Sequence, residues 1–355
     1  MRRRKAALLG ASGWIGQHFA RLLADHPFFE NPILCAGPRS AGKLLEEIWV
    51  LPELGPPPSL AARTLSTATP AALEREGVEV VFSALPTEEA GPLETELAKR
   101  GMAVFSNAGS HRMDADVPLV IPEVNGAHFD LLKSRKGKGF IVTNSNCSTA
   151  GVVMAIKPLM ALLKPREVVV TTYQSLSGAG FPGVASLSIT DNILPYIPEE
   201  EEKIERETQK MLGTVSAGKV LPMDLAVYAN CARVGTREGH LEAVTLDAKV
   251  DVTESMVREA WAGFRPLSDV KEGTLPTAPE SPVIYRAEPN RPQPLLDRWA
   301  GTPARAKGMA VTVGRLRVRN RKVMFYLLVH NAVRGGAGGS VLNAELALRK
   351  GLLGE

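Results

Sequence analysis

Lys5-Ala-Ala-Leu-Leu-Gly10-Ala-Ser-Gly13-Trp-Ile-Gly16 joins a short apolar strand, residues 5–9, to the helical pattern of residues 17–25. Glycines at this spacing in a strand-to-helix corner permit a tight turn, close approach of a phosphate to backbone N–H groups, and tight packing of helix on strand. An isolated pattern of this kind can be an incidental glycine turn, but its place directly after a strand and before a helix favours dinucleotide binding. Residues 33–36 read as a second strand, which ends without the Asp or Glu that binds a free ribose 2′-hydroxyl. Arg39, Ser40 and Lys43 follow instead and could receive a 2′-phosphate, so NADP is expected over NAD; the plainer reading is solvated loop cations. Apolar strands at 78–84, 102–106 and 139–143 alternate with helical patterns at 71–76 and 90–100. That alternation predicts an open parallel sheet with ligands at the C-terminal ends of its strands.

With 355 residues, 45% hydrophobic and 23% charged, the chain has the length for two cores, and two domains are expected. A net charge of +4 with no basic stripe argues against a nucleic-acid partner. No apolar run reaches membrane-spanning length. Gln17, His18 and Arg21 interrupt the first apolar segment and fit the polar face of a helix, which argues against a signal peptide. Cys35, Cys147 and Cys231 are far apart and lack metal-ligand spacing, so free thiols in a reducing, cytoplasmic setting are expected and no metal is.

Residues 144–149, Asn-Ser-Asn-Cys-Ser-Thr, sit between the strand at 139–143 and an apolar helical run at 150–163. Cys147 would then lie at a helix N-terminus, where free N–H groups and the helix dipole lower a thiol pKa and can hold an oxyanion. A small buried cysteine beside capping residues is the alternative. Beyond it the texture changes to longer strands at 167–173, 224–232, 240–249, 308–318 and 323–330, predicting a mixed, largely antiparallel sheet in a second, catalytic domain.

The first of these strands ends in a glycine-rich loop at 174–180, suited to substrate or cofactor, or only a turn. The acidic run Glu199–Glu202 reads first as helix capping and second as substrate binding. Arg233 and His240 flank a hairpin-like turn that could place a guanidinium and an imidazole on one side of a cleft. An imidazole titrating near neutrality can move a proton to and from a hemithioacetal, and an arginine can grip a carboxylate at two points. Taken singly, His240 is as readily a structural histidine and Arg112 an exposed loop arginine. Residues 282–298 read as a proline-rich surface loop reaching toward a neighbouring subunit. Residues 331–340 are glycine-rich and could touch a nicotinamide, and 341–353 form an amphipathic helix expected to pack back on the first domain.

On residues 10–16, 82–86, 106–114, 117–125, 145–149, 177–180, 200–212, 233–240, 291–298, 309–318 and 332–347, the chain resembles the aspartate-semialdehyde dehydrogenases, specifically their archaeal and fungal-type branch. The resemblance implies an α/β fold: a Rossmann-type parallel-sheet NADP-binding domain, residues 1–146 and 331–355, and an α+β catalytic and dimerisation domain, residues 147–330. It implies reduction of L-aspartyl 4-phosphate to L-aspartate 4-semialdehyde in the biosynthesis of lysine, threonine and methionine. Cys147 would be the nucleophile forming a thioester, His240 the acid/base, and Gln174 the residue orienting the thioester. Arg233 would bind the α-carboxylate, Glu200 the amino group, and Arg112, Lys203 and Asn146 the phosphate. Gly10, Ser12, Gly13, Trp14, Ile15, Gly16, Arg39, Ser40, Ser83, Leu85, Asn107, Ser177, Gly178 and Asn331 would line the NADP site. A homodimer, or a tetramer of dimers, is implied, with no nucleic acid or membrane partner. Two positions depart from the pattern: Trp14 is bulky for the glycine loop, and Arg237 adds a cation near the acid/base. A malonyl-CoA reductase of the same family and a non-catalytic NADP-binding sensor are the alternatives.

Overall fold

The structure, a computed structural model, describes residues 2–67, 69–135, 137–267 and 275–354. Strands β1 (Ala6–Leu9), β2 (Ile33–Cys35), β3 (Val80–Ser83), β4 (Ala103–Ser106) and β5 (Phe140–Thr143) form a sheet in the order β2-β1-β3-β4-β5. Every neighbouring pair in it is parallel. β1, β3 and β4 are buried along their whole length, as a parallel sheet covered on both faces requires. Alternate residues serve opposite layers: Leu8, Phe82 and Phe105 pack with Phe19 on one face, and Leu9, Val81 and Val104 with Leu97 on the other.

The helix Gly338–Arg349 returns from the far end of the chain to this sheet, and its Val341, Leu342 and Ala344 share the core of Leu8 and Phe82. Its residues from Gly338 to Leu348 are all buried, so the amphipathic stripe expected for this segment is replaced by burial on every side. The helix Trp14–Leu23 corrects a second expectation: Gln17 and His18 are buried, not solvated. Gln17 Nε2 donates to Ile48 O and its Oε1 accepts from Val50 N, which holds the following loop on the helix.

In the second half, β6 (Glu167–Gln174) is followed by a small hairpin, β7 (Thr214–Ser216) and β8 (Lys219–Leu221), and then by β9 (Ala226–Arg233), β10 (His240–Asp247), β11 (Val283–Arg286), β12 (Val311–Arg319) and β13 (Lys322–Val329). The larger sheet runs β11-β12-β13-β10-β6-β9, with antiparallel pairs at its centre and a parallel pair at each edge. β11 and the turn Pro294–Asp297 lie inside the stretch expected to be a surface loop. Val283-Ile-Tyr-Arg286 is β-branched and aromatic enough to extend the sheet once Pro282 is passed.

One face of this sheet packs on the helix Cys147–Ile156, whose Val152, Val153 and Ile156 share a core with Val168, Val170, Val244 and Phe325. Register then assembles the site. Gln174 pairs with Arg233 at the ends of β6 and β9, and His240 opens β10 antiparallel beside β6. Three chemically able side chains therefore lie at one end of three adjacent strands.

Candidate active site

Cys147 is the first residue of its helix, and Asn146 caps that helix: its Oδ1 accepts from Ser148 N at 2.9 Å and Thr149 N at 3.0 Å. The cap is itself gripped by two buried acids. Asn146 Nδ2 donates to Glu200 Oε1 at 2.9 Å, and Asn146 N donates to Glu207 Oε2 at 2.6 Å. Gln174 Nε2 donates to the same Glu200 oxygen at 2.8 Å, so Glu200 turns into the site although it begins a helix. Its Oε2 has no protein partner among the described residues.

Cys147 Sγ lies 3.2 Å from His240 Nε2. On the other side of the ring, His240 Nδ1 accepts from Ser175 N at 3.0 Å, with Ser175 Oγ at 3.1 Å. A backbone N–H pointing at Nδ1 places the proton of the neutral ring on Nε2, facing the sulfur. Arg233 Nη1 donates to Ser175 O at 2.8 Å, so one residue positions both partners. Gly178 lies behind them: a Cβ there would stand 2.5 Å from Arg233 Nη1 and 3.3 Å from His240 Cε1.

The charge balance differs from expectation. Cys147 is partly exposed, yet enclosure by the cleft, with Glu200 adding to it, pushes its thiol up to about 12 against the pull of Arg233 and Arg112. Burial, Arg233 and His330 hold His240 well below the usual histidine range, not near neutrality. The resting pair is thus neutral, and the helix terminus offsets only part of the desolvation. Iodoacetamide alkylation of Cys147 in the ligand-free protein is accordingly expected to rise about tenfold per pH unit from neutrality upward. Peptide mass spectrometry reads it site by site, and a plateau below pH 8 would contradict this assignment.

Arg112 is held by Glu207 Oε1 at 3.0 Å and by Asn107 O at 2.7 Å, while its Nε is buried without an acceptor. Lys210 donates to the carbonyls of Arg112, Asp114 and Val117 and so fixes the loop that carries this guanidinium. Lys203 Nζ pairs with Glu199 at 3.1 Å. Glu207, Lys210 and Ser175 were not singled out from the sequence. Glu207 and Lys210 had a signal, since Ile204, Glu207, Thr208 and Met211 make one helical face and two charges sit on or beside it.

The glycine loop fits a dinucleotide phosphate. Gly10 has φ +75°, and a Cβ there would lie 2.6 Å from Ala84 O, so β1 turns hard against the Ala84–Leu85 end of β3. Ser12, Gly13 and Ile15 are open to the cleft, and the helix start has no side-chain cap, leaving its first N–H groups for an anion. The Trp14 side chain turns away from the loop to pack with Leu51 and Ala332. At the C-terminal ends of β3 and β4, Ser83 Oγ and Asn107 Nδ2 are buried without partners, in the place where such sheets take ligands. Arg39 is exposed and Ser40 half-buried just past β2. Asn331 and Ser177 are bonded to each other, and Asn331 Oδ1 accepts from Gly239 N and Ser175 Oγ, so these side chains brace the His240 turn. Arg237 pairs with Glu53 at 3.2 Å.

Residues 5–132 match the family model for the semialdehyde dehydrogenase NAD binding domain, and residues 156–334 match that for the semialdehyde dehydrogenase dimerisation domain. The aspartate-semialdehyde dehydrogenase of Archaeoglobus fulgidus is 42% identical over 99% of this chain and 100% of its own length. The chain belongs to the aspartate-semialdehyde dehydrogenase family. Among solved structures, aspartate-semialdehyde dehydrogenase with NADP from Candida albicans is 36% identical, with a TM-score of 0.86 over 99% of this chain and 100% of that one. Another relative, a malonyl CoA reductase (NADP) of Metallosphaera sedula, is 41% identical over 98% of both chains. The match to the first family model contains β1 to β4 and the match to the second contains β6 to β13, with β5 lying between them. Among the described residues no helix is long and apolar enough to cross a membrane.

Proposed function

We propose that this chain is an NADP-dependent phosphorylating aspartate-semialdehyde dehydrogenase, acting in amino-acid biosynthesis on L-aspartyl 4-phosphate. The observation that carries this reading is the Cys147–His240 pair at 3.2 Å, flanked by Gln174, Arg233 and Glu200, in a chain 42% identical to an enzyme of that name.

Arg233 keeps Nε and Nη2 free of protein acceptors among the described residues and takes the α-carboxylate at two points. Glu200 Oε2 receives the α-ammonium. The buried Arg112 Nε–H, beside the start of the Cys147 helix, receives the phosphate. Cys147, its sulfur steadied by the Nε2–H of His240, attacks the acyl carbon; the carbon–oxygen bond to phosphate breaks, the thiol proton leaves with the phosphate, and a thioester forms. The Cys147 N–H, unbonded at the helix start, faces the oxyanion of that step, and Gln174 orients the thioester carbonyl. NADPH, when bound, supplies the hydride that reduces the thioester. The Nε2–H of His240 hydrogen-bonds the resulting alkoxide; as the carbon–sulfur bond breaks and the aldehyde leaves, the sulfur, held by the same Nε2–H, takes up one proton from solvent, restoring the neutral Cys147 thiol. Gly10, Ser12, Gly13, Ile15 and Gly16 would hold the pyrophosphate, and Arg39 with Ser40 the 2′-phosphate. Lys203 joins the phosphate site only by leaving Glu199.

The cofactor unit is assigned to residues 1–146 and 331–355, and the catalytic and dimerisation unit to 147–330. The common core of the first sheet and the Gly338–Arg349 helix supports that division. The half-exposed outer face of β6 and β10, with exposed Tyr228 on β9, suits pairing of two copies as a homodimer or a tetramer of dimers. Free Cys35, Cys147 and Cys231 suit the cytoplasm.

The test follows NADP reduction with L-aspartate semialdehyde, with and without phosphate, and NADPH oxidation with malonyl-CoA. Phosphate-dependent reduction is expected. Activity only with malonyl-CoA would transfer the site to the chemistry named for the Metallosphaera relative, and silence in both assays would favour a non-catalytic NADP-binding protein.

A further inference from the structure

Trp14, bulky for a glycine loop, and the Arg237–Glu238 turn just before His240 are brought together across the cleft. Trp14 Nε1 donates to Glu238 Oε1 at 2.8 Å, and His18 Nε2, one turn along the same helix, lies 2.9 Å from that oxygen. His330 Nε2 stands 3.8 Å from Glu238 Oε2. Trp14, His18 and Glu238 are 8%, 2% and 4% exposed, so the contact is closed to solvent. Burial opposes the charge of Glu238, yet the bond from His18, the fields of His330 and His18, and the bond from Trp14 hold its carboxyl down to about 2. Trp14 also stacks on Phe181, with ring centroids 6.3 Å apart and planes 10° from parallel.

Glu238 stands two residues before His240. Between them, Gly239 N donates to Asn331 Oδ1 at 2.9 Å, and the same Asn331 oxygen accepts from Ser175 Oγ, the group beside His240 Nδ1. One unbroken line of contacts therefore runs from the dinucleotide loop through Trp14, Glu238 and Gly239 to the imidazole facing Cys147.

We propose that Trp14, His18 and Glu238 form a positioning latch that sets the dinucleotide loop in register with His240 and Cys147, so that seating a dinucleotide changes the reactivity of the thiol. This deepens the proposed function and rests on it only for the identity of the dinucleotide. A carboxylate shared by an indole N–H and an imidazole is satisfied in one relative placement of helix and turn, because losing either donor strands a buried charge. Loop movement on phosphate binding is thereby passed to the turn that carries the acid/base.

The experiment measures the iodoacetamide alkylation rate of Cys147 with and without saturating NADP⁺ in the wild type, Trp14→Phe, Glu238→Gln and the double variant. Saturation is set for each protein by calorimetric titration, and folding is checked by thermal melting. Trp14→Phe keeps an aromatic ring against Phe181 while removing the donor, so it carries the test if Glu238→Gln fails to fold. Simple shielding of the thiol by the dinucleotide would change the rate alike in all four proteins. The latch predicts that the NADP⁺-dependent rate ratio of the wild type differs by at least about fivefold from that of each single variant, with the double variant no further displaced. Equal ratios in all four proteins would overturn it, as would a wild-type rate that ignores NADP⁺. A Cys147 that responds to NADP⁺ through the latch in a protein inactive on aspartate semialdehyde would keep this inference and remove the substrate assignment.

Discussion

Replacing Cys147 by alanine is expected to lower phosphate-dependent turnover by on the order of 10⁴-fold or more, the scale seen when a covalent nucleophile is removed. NADP affinity should stay within about twofold, because a change of less than that is near the limit of one weak contact. The substitution deletes one sulfur and nothing that holds the site. Asn146 still caps the helix through Ser148 N and Thr149 N, and Glu200 and Glu207 still grip Asn146. Alanine is also the best helix former at the vacated position. Steady-state absorbance of NADPH reads the first quantity and calorimetry the second. Turnover like that of the wild type would show that another group attacks the acyl carbon.

The second large effect is on stability. Arg334 is fully buried; its Nη1 and Nη2 donate to Glu123 at 3.0 and 2.5 Å, and its Nε donates to Met309 O at 2.6 Å. Arg334→Met would leave a buried carboxylate and a buried carbonyl without donors, and a loss of about 3–5 kcal/mol is expected in urea unfolding. The same segment, Val333–Ala337, brings Gly335 so close to the nucleophile that a Cβ there would lie 2.6 Å from Cys147 Cβ. Turnover should therefore fall together with stability. The double variant Glu123→Met with Arg334→Met should recover part of the lost stability, since it removes the stranded charge. A single variant as stable as the wild type would mean that water or another donor reaches Glu123.

The parallel sheet was legible because its signals are local: glycines at a strand-to-helix corner, and apolar runs alternating with helical ones. Cys147, Gln174, Arg233 and His240 were legible as residue types at element ends, and pairing register then brings those ends together. Other features depend on what the rest of the chain supplies. Gln17 and His18 look like a solvated face until Ile48, Val50 and Glu238 arrive to bond them. Residues 341–353 look amphipathic from the sequence, with Asn343 and Glu345 polar, but Asn343 donates to Val120 O and Glu345 accepts from Thr277 in the interior. The elevated thiol of Cys147 escaped for the same reason: a helix dipole can be read from sequence, whereas enclosure by a second domain cannot. Lys203 is a phosphate ligand only as the family resemblance implies, and its Nζ pairs with Glu199.

The return of the Gly338–Arg349 helix to the first sheet also bears on how the protein is made. β1 to β5 leave the ribosome early, while the helix that covers one of their faces emerges roughly two hundred residues later, a delay of about ten to forty seconds at ordinary synthesis rates. Through that interval Leu8, Phe82 and Phe105 lack the Val341 and Leu342 that cover them in the finished protein. The dinucleotide unit therefore cannot complete its fold in the order of synthesis. The nascent first half must be shielded, or wait half-assembled, until residues 338–349 have been made.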